Sequence, residues 1–504
     1  MNILRRFSLL TLSITAMFVV PTVAQRADTS SATDTAAPAP VQELERMVVT
    51  ATKTERAISA VPVSVSVIER ADVDIMPAQG IDDLIMRETG VTVKRVVGMA
   101  EGIPSDIIVR GVPGAFAASR VLILVDGIPT NVAGTPLQLL KEVPLQCVDR
   151  IEVLRGPFSS LYGANAFAGA INVFSREPER AQELSVYHKL WPLHYSQVGI
   201  RNGGSFEHVD YAIGGDYLRV DNVLGTDSAL VRVGETTTHD TLENYDYQQG
   251  RMLSKVRFWL GDKASITVHG RLFGSDLGFG KSQNSLRAEL RMKGRRMLAG
   301  PYLDWAVSDK LELYIGGYGR RTVAEFYNVA YDRTADVLVP SYWKSIVDDG
   351  TVEARATVRL GETNTLTAGV DYLENQVLFG ATEHRGTGEQ LYPSRDERIG
   401  NLGVYLQDEI RLWERFVALP GVRVDYHSLM GAVVSPKLAC SYRFAEPLRT
   451  RVSVGRAFRA PTMVELYMPA TELFSGVTMV PTPDLKPEYI VSLDGGVDVT
   501  LGTR

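Results

Sequence analysis

The chain has 504 residues, 45% of them apolar, with 59 acidic against 53 basic side chains and a net charge of -6. That balance supplies no basic face for nucleic acid, and the length suits either several average domains or one large barrel. The 2 cysteines, Cys147 and Cys440, stand too far apart for a disulfide framework and are expected as separate thiols.

Arg5 and Arg6 lead into an apolar stretch from Ser8 to Val20, followed by the small residues Thr22-Val23-Ala24. This order predicts a secretory signal peptide over residues 1–24, cleaved after Ala24. The rival reading, a membrane anchor, needs ~20 apolar residues to cross the hydrocarbon core, more than this stretch provides. Residues 25–44 are mostly Ala, Thr, Ser, Pro and Asp and read as a flexible tether. Glu45-Arg46-Met47-Val48-Val49-Thr50-Ala51 then forms a short β-favouring island, and an isolated strand of that kind wants a partner.

Residues 58–176 carry mixed α/β signals. Val63, Val65 and Val67 alternate with serines as a half-buried strand, and Ile81 to Glu88 reads as a short helix with Asp82 and Asp83 in its first turn and Gly90 beyond its end. Val121-Leu122-Ile123-Leu124-Val125 runs into Asp126-Gly127, a pair that tolerates the positive φ of a tight hairpin. The region has the size of a domain that folds alone.

From Glu177 onward the texture changes to two-residue alternation. Val352, Ala354, Ala356, Val358 and Leu360 stand against Glu353, Arg355, Thr357 and Arg359, and Tyr489, Val491, Leu493, Val497 and Val499 stand against Ser492, Asp494, Asp498 and Thr500. Alternation alone also fits a soluble sandwich. The signal peptide, strands near the ~9 to 11 residues that cross a membrane, and Trp259, Trp305, Tyr318 and Tyr405 expected near strand ends favour a transmembrane antiparallel barrel. About a dozen to sixteen strands fit between Glu177 and Arg504 at this spacing. Cys440 would share the lipid side with Leu438 and Tyr442.

Two ordered stretches carry a family resemblance. Ile107-Ile108-Val109-Arg110-Gly111 with Arg120 to Pro129, and Val148-Asp149-Arg150-Ile151-Glu152-Val153-Leu154-Arg155-Gly156-Pro157 with Leu161-Tyr162-Gly163-Ala164-Asn165, closely resemble the plug of TonB-dependent outer-membrane receptors. Val404 to Glu409, Pro420 to Asp425, Phe458-Arg459-Ala460-Pro461 and Pro483 to Glu488 look like barrel segments of the same family. The resemblance implies a barrel of 22 strands at full length in the outer membrane, with an α/β plug over residues 58–176 stoppering the lumen of a barrel that starts at residue 177. It implies no enzyme and no cofactor. Residues 45–51 (Glu45, Arg46, Met47, Val48, Val49, Thr50, Ala51) sit where the family's TonB box belongs, on a periplasmic arm that could pair edge to edge with the inner-membrane partner TonB. Alternatively, Val48 and Val49 begin the plug's first strand.

By the same likeness, Arg110 and Arg155 correspond to plug arginines that pair with wall carboxylates, with Glu409 the candidate partner; the alternative is that both brace their own loops. Gly111, Asp126, Gly127, Arg150, Glu152, Gly156, Tyr162 and Gly163 are the remaining plug-motif positions. The implied cargo is a ferric siderophore or similar scarce chelate taken up by a monomer, with cobalamin or haem as alternatives. Haem is disfavoured because Thr462 to Thr482 holds no histidine, and Asp216, Asp221 and Asp227 are candidates for calcium in an outer loop. Gly278 to Ser282 resembles the end of a phosphate loop, but Ser275 stands where its first glycine is needed. A chain finishing on Gly502-Thr503-Arg504 lacks the terminal aromatic usual in such barrels, so a fragment or truncated product with its C-terminal strands missing is expected, not a working transporter alone.

Overall fold

The computed structural model describes residues 46–95, 105–113, 120–131, 142–191, 195–221, 246–278, 287–332, 337–385, 388–413, 415–445, 447–467 and 477–499. It also describes the short pieces 229–233, 236–240, 242–243, 281–282 and 471–474. The expected signal peptide and tether, Glu45, Asp227, the pair Phe279-Gly280 and the chain's last residues lie outside the described residues.

A two-stranded ribbon opens the described chain, β1 (Met47–Val48) pairing antiparallel with β2 (Arg56–Ala57). The plug follows. β3 (Ser64–Ile68) leads to α1 (Arg70–Ile75) and α2 (Ile81–Ile85), and β4 (Val91–Arg95) pairs with β5 (Ser105–Val109). The α2 helix has Asp82 and Asp83 in its first turn, where the dipole favours acids, and ends before Gly90, whose φ of 76° suits glycine. It is shorter than the expected span to Glu88, because the chain beyond Ile85 tightens into turns.

β6 (Val121–Val125), β7 (Ile128–Pro129), β8 (Val148–Arg155) and β9 (Gly169–Ser175) join β3 in a five-stranded sheet of order β3-β8-β9-β6-β7. β6 and β9 run parallel and the other pairs antiparallel. Every β6 residue is buried, with Val121, Ile123 and Val125 in the apolar cluster on one face and Leu122 and Leu124 in that on the other. A strand covered on both faces has no use for polar alternation, which explains its unbroken apolar run. The short α3 (Ser159–Tyr162) lies between β8 and β9.

Fourteen strands then form one continuous antiparallel sheet. They are β10 (Glu183–Trp191), β11 (Tyr195–Ser205), β12 (Val209–Val220), β13 (Tyr247–Trp259), β14 (Ala264–Gly278), β15 (Arg287–Ser308) and β16 (Leu311–Asp332), continuing with β17 (Val337–Leu360), β18 (Asn364–Arg385), β19 (Gly388–Leu412), β20 (Phe416–His427), β21 (Gly431–Ala445), β22 (Leu448–Arg459) and β23 (Glu488–Val499). Each pairs with its chain neighbour, and β10 and β23 are the two edges among the described residues. One end of the sheet has tight turns such as 206–208, 260–263 and 309–310; the other carries the long connections 221–246 and 460–487. That asymmetry separates the periplasmic and outer ends of a membrane barrel.

The alternation sorts the two faces. Val352, Val491 and Leu493 point outward at 63%, 72% and 77% exposure, while Glu353 and Thr357 point inward and are part-buried or buried. Cys440 shares the outward face with Leu438 and Tyr442. Trp259 and Trp305 stand half exposed near the tight-turn end, where an aromatic girdle belongs. Tyr318 and Tyr405 depart from expectation: both face the lumen and are buried, because their parity along the strand is that of the polar residues.

Candidate functional site

The segment expected as a free arm is docked. Val48 and Ala51 are fully buried in an apolar cluster with Leu122, Leu124 and Leu154 of the plug and Leu419 and Ala439 of the wall. A two-residue strand leaves backbone amides without ladder partners, and the fold answers them with a carboxylate. Glu152 on β8, itself fully buried, accepts from Val49 N at 3.0 and 3.1 Å and from Thr50 N at 2.8 Å, and Arg150 Nε donates to it at 3.3 Å. Tyr162 Oη donates to Thr50 O at 2.8 Å and Asn172 Nδ2 to Thr50 Oγ1 at 3.1 Å. Burial, with the Glu152 charge beside it, raises the Tyr162 phenol and keeps it a donor. Val48 and Val49 do not begin the plug sheet, since β1 pairs only with β2.

The other plug-motif residues shape turns. Asp126 and Gly127 both have positive φ, 51° and 78°, and close the β6–β7 hairpin. The Asp126 carboxylate accepts from Ser175 N at 2.9 Å and Ser175 Oγ at 2.7 Å, which pins the hairpin to β9. Burial would raise that carboxyl, but Lys255, His269 and the Ser175 hydrogen bonds hold it low. Arg110 and Gly111 repeat the positive-φ pair at 51° and 75°. At Gly156 a Cβ would lie 3.0 Å from Asp494 of the wall, and at Gly163 it would lie 3.2 Å from the Arg423 guanidinium, so both glycines mark where plug backbone meets barrel.

The seam between plug and wall is built from ion pairs. Arg110 donates to Asp494, while burial and the neighbouring Arg155 and Arg451 lower its guanidinium. Arg155 does not reach the wall: it donates to Glu88 at 3.1 Å and to Thr89 O at 2.7 Å, both within the plug. Glu409, the partner expected for these arginines, instead accepts from Arg56 at 2.5 Å and Arg411 at 2.6 Å. The correction follows from strand position. Glu409 lies close to the tight-turn end of β19, at the level of the β1–β2 ribbon.

Four basic side chains make contacts across the seam that were not foreseen. Lys53 Nζ donates to Glu353 at 2.6 Å and Tyr405 Oη at 3.2 Å, with its ammonium 4.4 Å from the Tyr405 ring centre. Burial pulls that ammonium below its ordinary range, and Glu353 works against the shift. Arg120 grips Glu488 at 2.9 Å through two nitrogens. From the wall, Arg320 donates to Pro129 O at 2.7 Å and Asn131 O at 2.9 Å, and Arg296 donates to Glu142. The only sequence signal for Glu353 was its place on the charged side of an alternating strand.

Between the plug and β15–β20 lies a cavity of about 310 Å³ lined by Lys53, Tyr162, Tyr314, Glu353 and Arg423 among others. Toward the long-connection end the inner wall turns apolar and aromatic. Trp343 sits 4.6 Å from Phe326 and 6.1 Å from Phe379 between ring centres, in a cluster with Tyr247, Phe273 and Met463. Asp216 is no outer-loop calcium ligand: it is buried against Arg251 at 2.5 Å and accepts from Tyr187 and Gln197, while Asp221 accepts from Arg219. No group of three or more metal-ligating side chains occurs among the described residues.

Comparison with known proteins fits this geometry. Residues 57–170 match the family model described as TonB-dependent Receptor Plug Domain, and residues 216–504 match TonB dependent receptor-like, beta-barrel. The vitamin B12 transporter BtuB of Vibrio vulnificus is 23% identical over 466 residues, 90% of this chain and 68% of that protein. Among solved structures, a mutant of the ferric enterobactin receptor PfeA of Pseudomonas aeruginosa superposes with a TM-score of 0.68 at 18% identity, covering 87% of this chain and 69% of that one. The ferric yersiniabactin uptake receptor FyuA of Yersinia pestis gives 0.67 at 15%, covering 88% and 71%. At such identities the structures speak for the fold alone. With both family models matched along most of its length, and a plug ion-paired to the inner face of a 14-stranded antiparallel sheet, the chain belongs to the TonB-dependent receptors, a family of outer-membrane transport proteins and not of enzymes.

Proposed function

We propose that the protein imports a ferric siderophore across the outer membrane, powered through TonB, after export by a peptide cleaved following Ala24. The observation that carries the siderophore reading is the aromatic character of the inner wall around Trp343, Phe326 and Phe379, rings that pack on one another here and would open to take the aryl rings of an iron chelate. Residues 45–51 serve as the TonB box, and the polar seam is the surface along which the plug yields.

The energetics support a driven release. Capture at nanomolar concentration corresponds to ~12 kcal/mol of binding free energy, with no nucleotide in that compartment to offset it. One charge crossing the inner membrane supplies about 2.3 kcal/mol per 100 mV, so a few protons suffice. Cobalamin is the second reading, favoured by the likeness to BtuB.

Tryptophan fluorescence of the purified receptor, titrated with a ferric catecholate and with cyanocobalamin, separates the two. Quenching by the catecholate that is lost in Trp343→Leu supports the siderophore; saturable binding of cobalamin alone overturns it. Growth of a deletion strain on defined iron chelates, with and without the gene, tests import itself.

A further inference from the structure

Three arginines stand side by side on the inner wall where it meets the plug. In register, Arg271 of β14 and Arg320 of β16 both oppose Leu298 of β15, and Arg296 of β15 opposes Phe273 and Thr322. All three arginines are nearly sealed from solvent, at 5%, 5% and 2% exposure for Arg271, Arg320 and Arg296. Arg320 is well occupied, by Asp349 at 2.9 Å and by the carbonyls of Pro129 and Asn131.

The other two are not. Arg296 Nη1 donates to Glu142 and to Thr130 O, but its Nε and Nη2 have no hydrogen-bond partner. Arg271 approaches the same Glu142 only to 3.9 Å, and both its Nη1 and Nη2 are without acceptors. The buried hydroxyl of Thr322 beside Arg296 is also unpartnered. Asp126, on the flank, is taken up by Ser175 and lies 3.7 Å from His269. So one carboxylate serves two guanidiniums, and four of their buried nitrogens face no acceptor. Buried N–H groups are rarely left so, least of all charged ones.

We propose that Arg271, Arg296 and Thr322 form an oxoanion-binding site in the plug–wall seam, which Glu142 of the plug fills in part and from which an incoming oxoanion displaces it. Two guanidinium forks offer paired N–H donors at the spacing that carboxylate and phosphate oxygens accept, and a hydroxyl adds a third direction. Chloride, with one centre, cannot span both forks. The oxoanion has two sources: inorganic phosphate, or an acid group on the imported chelate. Displacing Glu142 removes a salt bridge between plug and wall, so occupancy of the site loosens the seam on this side. The site rests on the plug–wall geometry and only its second source rests on the import reading.

The test is titration calorimetry of the purified receptor in detergent with inorganic phosphate, at fixed ionic strength, with heat-modifiable gel migration to confirm folding. Phosphate is expected to bind the wild type, to bind Glu142→Gln at least about tenfold more tightly because the resident competitor loses its charge, and to bind Arg271→Gln at least about tenfold more weakly. Ferric citrate is then added as competitor: displacement of phosphate assigns the site to the cargo's acid groups, and its failure to displace assigns it to the free ion. Absence of phosphate binding in both the wild type and Glu142→Gln, or equal affinity in folded Arg271→Gln, overturns the proposal. Phosphate binding in a receptor that supports no growth on any chelate leaves the site standing and counts against the import reading alone.

Discussion

Glu152 is the sharpest test of how the N-terminal segment is held. Its carboxylate is fully buried and is the acceptor for the amides of Val49 and Thr50. Hydrogen bonds to a charged group contribute about 1.5–3 kcal/mol each, so Glu152→Ala removes roughly 3–6 kcal/mol of docking free energy. Burial of Val48, worth about 1.5–3 kcal/mol, and the Tyr162 bond to Thr50 O persist and oppose release. Those persisting contacts keep the segment docked in most molecules without changing the difference, so even the lower end of the range, about 3 kcal/mol, raises the undocked population on the order of a hundredfold. Hydrogen–deuterium exchange of peptides spanning 46–57 reads this directly: amide exchange at Val49 and Thr50 should accelerate by about that factor, with Glu152→Gln between the two. Amides of β6 in the plug core should stay protected. Unchanged protection at Val49 and Thr50 in Glu152→Ala, or equal loss across β6, refutes the reasoning.

Other predictions concern the seam, the thiols and pH. A double-mutant cycle between Arg56→Ala and Glu409→Gln should give a coupling of about 1–2 kcal/mol in the urea midpoint for plug unfolding, whereas Arg155→Ala with Glu409→Gln should give none. Burial pushes the Cys147 thiol up to about 12, so a water-soluble maleimide at pH 8 should leave it unlabelled in the folded receptor. Cys440, on the outward face, should react with a lipid-partitioning maleimide in vesicles, and labelling of the two in the reverse order contradicts their placement. Glu177, between plug and barrel, would be raised by burial, but Lys255 and Arg257 outweigh this and hold its carboxyl at about 2. Its contribution is complete above pH 4.5 and is lost as pH falls toward 2. The stability gap between wild type and Glu177→Gln should therefore narrow only across that window in thermal unfolding; it is small, because the side chain is half exposed.

The architecture was readable because its signals are periodic. Outward valines and leucines at alternate positions of β17 and β23, and the unbroken apolar run of β6, each report how many faces of a strand are covered. Asp126-Gly127 carried its hairpin in two residues. The pairing of charges was not readable. Glu409 meets Arg56 and not Arg155 because the match depends on the height of each residue in the lumen, and alternation gives parity without height. Tyr405 was placed by its residue type near a strand end, when its parity already assigned it to the inside. The docking of Val48 to Thr50 depends on one carboxylate more than 100 residues later, which no local pattern reveals.

The seam's contacts are spread in height as well as around the circumference. Arg56 with Glu409 and Arg449 with Ser59 O sit by the tight-turn end, Lys53 with Glu353 and Arg110 with Asp494 lie deeper, and Arg120 with Glu488 lies at the far end. If TonB pulls on residues 45–51 as proposed, tension entering at the N-terminal ribbon would load these bonds one after another, as in peeling a strip, rather than all at once as in shear. The force required is then set by the strongest single bond rather than by their sum, and a stopper fastened at many points can still be opened by a modest pull.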